Sequence, residues 1–285
     1  MQIGIFAKTF SRDSLAATLD AVTGAGLHHV QFNLSCAGLS PLPESMPEGL
    51  PKTIRLAHES RKISMAAVSG TFNMAHPNPD VRKEGLRCFR VLAAACKPMG
   101  TELITLCTGS RDPENMWRKH PENTSEAAWN DMRTCVAKAI EVAEAHDLFL
   151  GVEPEVSNIV DSAKKARQLL DEIRSPRLRI VMDGANLFHD GELSRMQDVL
   201  SEAFELLGSD IALAHAKDLT RDGAAGDAAA GTGLLDYDAY IRLLRRVGYT
   251  GPLILHGLTE AQVPESVAFL RAALQRGDLA RKAAQ

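Results

Sequence analysis

The chain has 285 residues, of which 45% are hydrophobic, 24% charged and 5% aromatic, enough to bury a sizeable core and unlike a disulfide-stapled miniprotein. With 32 basic against 36 acidic residues the formal charge is −4, and no stretch gathers Lys and Arg into a stripe, so the attraction that carries phosphate-backbone binding is missing and nucleic acid is not an expected partner. No apolar run approaches the roughly 20 residues of a bilayer span, the opening MQIGIFAKTF lacks a signal-peptide pattern, and the scattered thiols of Cys36, Cys88, Cys96, Cys107 and Cys135 include no CxxC pair; together these read as a cytoplasmic chain that begins at Met1 and keeps its cysteines reduced.

Short apolar runs alternate with longer amphipathic ones eight times. The first predicted strand is 3–7 (IGIFA), followed by a helix over LAATLDAVTGAG capped by Ser11 or Asp13. The second is 29–33 (HVQFN), and Pro51 then opens a helix over PKTIRLAHESR. Strands at 64–69 (SMAAVS) and 103–107 (LITLC) follow. The segment 124–147 is the longest predicted helix, with Met132, Cys135, Val136, Ala139, Ile140 and Ala143 forming its inward stripe. After the strand at 148–153 (LFLGVE), Asp161 caps a helix over SAKKARQLLDEI. The remaining strands are 179–183 (RIVMD), 211–215 (IALAH) and 253–256 (LILH). Nearly continuous apolar strands are the pattern of a parallel sheet covered on both faces.

Eight strand and helix beats in about 250 residues are what a (β/α)8 barrel requires, with a doubly wound open sheet as the rival. No linker or composition step divides residues 1–285, so one domain is expected. Two long loops follow strand ends: 108–123 after the fourth strand and 220–233 after the seventh. The second is rich in Gly and Ala, which suits either a mobile lid or a tolerated surface insertion.

The last positions of the four late strands are Glu153, Asp183, His215 and His256, each interrupting or ending an apolar run. In a barrel these ends converge, and two carboxylates with two imidazoles make a donor set for manganese, iron, cobalt or zinc, less suited to calcium. Without an ion the neighbouring carboxylates would repel each other in a half-buried mouth and at least one pKa would rise. A dication removes that penalty and acts as a Lewis acid on substrate oxygens.

The segments GVEPE, VMDGANLF, HAKDL and GTGLLDYDAYIRLLRRVGYTGPLIL resemble the sugar phosphate isomerase/epimerase family, whose barrel is of the xylose isomerase type. The resemblance implies one divalent cofactor ion, manganese first, with magnesium, cobalt, iron or zinc as alternatives, held by Glu153, Asp183 and His215. His256 stands where the family usually has its fourth ligand, a Glu, so it is a ligand or an acid/base, and a paired-glutamate epimerisation is in question. The implied catalytic residues are Glu153 as base with His256 and Lys217. Candidate substrate contacts are Asn186, where the family often has a His, Arg221, six residues beyond His215, and His76 and Trp117 from the third and fourth loops.

Structural alternatives stand beside several of these. His76 is otherwise a loop anchor, Trp117 a loop pin beside Arg118 and His120, and Arg221 a solvated residue. Asp218 faces away from its strand mates as a brace, Glu155 is in uncertain phase past Pro154, and Asn73 reaches the same mouth. The expected activity is metal-dependent isomerisation or epimerisation of a small sugar-like carbonyl compound through an enediolate, and the resemblance implies a homo-oligomer. A dehydratase of the same barrel is the nearest alternative. A non-catalytic sugar-binding protein and an abasic-site phosphodiesterase are more distant ones.

Overall fold

Each strand pairs in parallel with the next. β1 (Ile3–Phe6), β2 (His29–Phe32), β3 (Ser64–Ser69), β4 (Leu103–Cys107), β5 (Phe149–Glu153), β6 (Leu178–Asp183), β7 (Ile211–Ala216) and β8 (Leu253–Leu255) follow in order, and β8 returns to pair with β1. The closed ring excludes the open-sheet alternative. The computed structural model describes residues 1–283. Between and after the strands lie α1 (Leu15–Gly24), α2 (Leu50–Glu59), α3 (Pro79–Met99), α4 (Glu126–Ala145), α5 (Ala163–Ile173), α6 (Met196–Leu207), α7 (Tyr237–Arg246) and α8 (Val263–Ala283).

Strand bounds match the sequence reading to within one residue, and His256 falls just past β8. Two helix starts differ from it. Ser14, not Ser11 or Asp13, caps α1 by accepting a hydrogen bond from the Ala17 amide, and Ser162 rather than Asp161 caps α5. Asp161 instead receives the Lys165 ammonium at 2.9 Å. The 20-residue α4 is not the longest helix, because α3 and α8 each span 21 residues. α3 carries its own start signal, an Asn78 cap with Pro79 in the first turn.

Strand alternation sorts the core into two shells. Phe6, Ala67, Leu103, Val181, Leu213 and Ile254 fill the barrel lumen, while Ile5, Val30, Val68, Ile104, Leu150 and Ile180 point outward against the helices. The lumen is crowded: a Cβ on Gly4 would lie 2.6 Å from Ile254 Cδ1 and 2.7 Å from the His29 carbonyl. Two residues beyond the lumen layer, the same inward positions arrive at the C-terminal mouth as Asp183, His215 and His256, and Cys107 lies four beyond Leu103; Glu153 follows Phe149 and Gly151 in the same way.

Tyr240 of α7 is fully buried, and its hydroxyl donates to the carbonyls of Met182 (2.9 Å) and His215 (3.1 Å), tying β6 to β7 beneath that mouth. Tyr240→Phe is expected to lower the unfolding free energy by about 1–3 kcal/mol. Urea denaturation measures it, and an unchanged midpoint would mean that the strap contributes nothing.

Candidate active site

The register places the late strand ends at one level, with Asp183 opposite His215 and Leu255, the residue before His256, opposite Ala216. A register slip between Ile180 and Val181 precedes Asp183, the kind of irregularity that re-aims a side chain near a site. Asp183 Oδ1 accepts the Ala185 amide at 3.0 Å and so caps the 3-10 turn Gly184–Asn186. Its Oδ2 is left facing the barrel axis, 3.7 Å from His215 Nδ1 and 3.4 Å from Lys217 Nζ.

Asp183, His215 and His256 each bring one ligand atom to within 4.8 Å of the other two. Glu153 stands beside this trio, its Oε2 at 3.5 Å from His215 Nδ1. Its Oε1 accepts a hydrogen bond from Asn186 Nδ2 at 2.6 Å, and the Cys107 thiol approaches Oε2 at 3.8 Å. His215 Nε2 donates to Gln31 Oε1 at 2.7 Å. An amide oxygen only accepts, so Nε2 carries a proton and Nδ1 is the nitrogen that faces the carboxylates. That Nδ1 is buried and has no hydrogen bond, which is the state of a nitrogen presented to a cation. A divalent ion therefore fits the donor set, with Gln31 fixing the ring as metal-bound histidines require.

The charges agree with this geometry. Burial opposes ionisation of His215, but the Glu153 and Asp183 carboxylates outweigh it and raise the imidazole to about 9; the same two carboxylates that favour a proton on Nδ1 favour a cation in its place, and metal binding would release that proton. Burial likewise works against the Asp183 carboxylate, yet Lys217 and His215 hold it well below the ordinary range. Burial, reinforced by Lys217 and His215, pushes His256 well below its ordinary value and so favours neutral imidazole, the form that binds metals. Lys217 is buried, and Asp183 and Glu153 keep its ammonium charged against that burial.

A cavity of about 260 Å³ opens over this cluster, lined by Glu153, His215 and His256 and by inward residues of the early strands, among them Gln31, Ser69, Thr105 and Cys107. A larger hollow, about 670 Å³, lies at the opposite mouth beside Lys97 and Arg179 and gathers no such donors. Trp117 lines the small cavity and is 52% exposed. The other expected substrate contacts go elsewhere. His76 donates from Nε2 to the Pro113 carbonyl and accepts the Asn78 amide at Nδ1, so both ring nitrogens hold loops. Arg221 is exposed and does not line the cavity. Asn186 is buried behind Glu153 and joins it to the Gly226 amide. Arg118 pairs with Asp112, and His120 caps a 3-10 turn.

The early-strand lining residues are small or polar, and no charged group marks them out in the sequence as the late strand ends are marked. Their signal is parity: Ser69 ends β3 two residues past the lumen residue Ala67, and Thr105 and Cys107 follow Leu103 on β4 by twos. Asn73 holds the Ser110 carbonyl and amide, and Glu155 turns into its loop toward the Ser157 amide.

The Gly/Ala-rich segment is tied down. Asp218 and Ala228 exchange backbone hydrogen bonds, and the Asp218 carboxylate accepts the amides of Leu219, Gly231 and Leu235. A Cβ on Gly233 would lie 2.4 Å from that carboxylate. Asp218→Ala is expected to cost about 1–3 kcal/mol and to speed hydrogen exchange at the Gly231 and Leu235 amides. Unchanged protection there would mean that the brace is idle.

Comparisons place the chain among known proteins. One curated relative, a ketose 3-epimerase of Arthrobacter globiformis, is 24% identical over 151 residues, 51% of this chain and 47% of that protein, so the match spans about half of the relative's length. A solved L-ribulose 3-epimerase superposes with a TM-score of 0.78 at 16% identity, covering 100% of this chain and 98% of the other. The IOLI protein with a binding zinc atom superposes at 0.75 with 14% identity, covering 97% and 99%. At such identities the superpositions speak for the fold. Residues 19–273 match the family profile described as xylose isomerase-like TIM barrel, and with most of the sequence inside that match, the chain belongs to this family.

Proposed function

We propose that the chain is a divalent-metal-dependent isomerase or epimerase of a small polyhydroxylated carbonyl compound. The observation that carries this reading is the buried, unbonded Nδ1 of His215, held among Asp183, His256 and Glu153 with its ring fixed by Gln31. Asp183, His215, His256 and Glu153 would hold the ion. Manganese is the first expectation, with magnesium, cobalt, iron or zinc as alternatives; two imidazoles widen the choice toward zinc, iron and cobalt. When bound, the ion supplies Lewis acidity to substrate oxygens. The epimerase named among the relatives and the zinc-bound neighbour support the same class.

The protein's own groups then divide the proton chemistry. Glu153 takes a proton from the carbon beside the carbonyl, its other oxygen pinned by Asn186 so that the base keeps one orientation. The Lys217 ammonium, held at 3.4 Å from Asp183, donates to the oxygen where negative charge develops. The proton returns to the same carbon in exchange or epimerisation, or to its neighbour in aldose–ketose isomerisation. Trp117 shelters the mouth. A dehydratase reading has one observation in its favour, since the buried Lys217 ammonium could protonate a departing hydroxyl instead. A phosphodiesterase is disfavoured because His76 is spent on loop contacts and Asn186 stands at the other position where a histidine would be needed.

Incubating metal-loaded protein with ketoses, inososes and keto acids in heavy water should place deuterium beside the carbonyl of one of them, and Glu153→Gln should slow that exchange by about 10²- to 10⁴-fold. A dehydrated product would select the lyase, and exchange that survives Glu153→Gln would remove Glu153 as base. Separately, Gln31→Met should weaken zinc and manganese binding about 10- to 100-fold in a chelator competition. Equal affinities would show that the histidine is not oriented by Gln31.

A further inference from the structure

Lys8 lies in the 3-10 turn Ala7–Thr9 that follows Phe6, and both line the cavity with His256. Its ammonium sits 4.4 Å from the centroid of the Phe6 ring. That ring in turn meets His256 edge-on with centroids 5.5 Å apart, so the cation stands one aromatic ring away from the ligand cluster. Among the described residues no carboxylate lies within 4.0 Å of Lys8.

The neighbouring cations are already engaged. Lys217 faces Asp183, Arg118 pairs with Asp112 and Arg111 with Asp131. In the cavity wall the remaining polar groups of the early strands, such as Asn33, Ser69 and Thr71, are amides and hydroxyls suited to reading sugar hydroxyls. Once the Glu153 and Asp183 charges are offset by a dication, the mouth keeps a positive surplus, and Lys8 is its outermost element. A hydrated surface lysine would be worth little. Lys8 as a whole is exposed at the rim, but its ammonium lies over the Phe6 face, and a cation so placed is less fully hydrated and worth more to an anionic ligand.

We infer that Lys8 makes this site selective for a polyhydroxy compound carrying an anionic substituent, a carboxylate or a phosphate, about one aromatic ring's width from the metal-ligating cluster. The inference rests on the polyhydroxy carbonyl reading proposed above and narrows it from neutral sugars to sugar acids or sugar phosphates. The cavity of about 260 Å³ is below the usual range for drug-sized ligands, which limits the substrate to one small unit.

Three unreactive probes of equal carbon number test it by calorimetry on zinc-loaded protein: an alditol, the matching aldonate and the matching alditol phosphate. At least one anionic probe should bind about 10- to 100-fold more tightly than the alditol, as expected for a charge-assisted contact. Whichever anion is favoured identifies the source of the charge. Lys8→Met should remove that preference and leave alditol binding unchanged, while Lys8→Arg should keep most of it. An anionic preference that persists in Lys8→Met, or none in the wild type, overturns the assignment. With an anionic carbonyl compound that exchanges deuterium, Lys8→Met should raise KM and spare kcat. Because the probes do not react, a Lys8-dependent preference without deuterium exchange into any carbonyl compound would sink the isomerase reading and leave this one standing.

Discussion

Two carboxylates, two imidazoles and a lysine ammonium meet at the buried mouth of the barrel, and the surrounding structure is organised around making that concentration of charge tolerable. Burial alone would neutralise such groups. Here the pairing of Asp183 with Lys217 and His215 outweighs burial and keeps the carboxylate ionised, while Gln31 and Asn186 assign fixed hydrogen-bonding roles to His215 and Glu153. One nitrogen, His215 Nδ1, is left with no hydrogen bond, and the proposed ion takes up that remaining lone pair.

The loops serve this arrangement more as a frame than as a moving cover. Asn186 connects Glu153 to the segment after β7 through the Gly226 amide, and Asp218 gathers three amides of its own and that segment's backbone. On the opposite side, Asn158 accepts the Gly109 amide, and Asn73 binds Ser110, so the loop after β4 is fastened to both flanking strands. Side-chain amides are suited to these junctions because each carries both donors and an acceptor. Trp117 is the large apolar side chain left exposed at the cavity.

The two halves of the barrel divide the work. β5 to β8 deliver the groups that carry charge, and β1 to β4 deliver Gln31, Ser69, Thr105 and Cys107, which orient those groups or line the cavity. His256 links the halves, since its ring touches both Phe6 of β1 and His215 of β7. Replacement of a carboxylate by imidazole at this position lowers the negative charge of the donor set. That change goes together with a rim that carries an unpaired lysine.

Strand order, closure and the late strand ends were legible in the sequence because parallel strands buried on both faces give unbroken apolar runs, in which Glu153, Asp183 and His215 stand out by their polarity. The stripe of α4 was legible for the same reason of period. Side-chain partnerships were not. Whether His76 looked into the cavity or into its loop depended on the Pro113 carbonyl, and Asn186 is claimed by Glu153 and the Gly226 amide, partners 33 and 40 residues away. Lys8, two residues past a strand, acquires meaning only when closure brings β1 against β8. Periodicity is a property of neighbouring residues and survives in the linear chain. Hydrogen-bond partners and convergence belong to residues far apart in sequence, and they exist only after the barrel has closed.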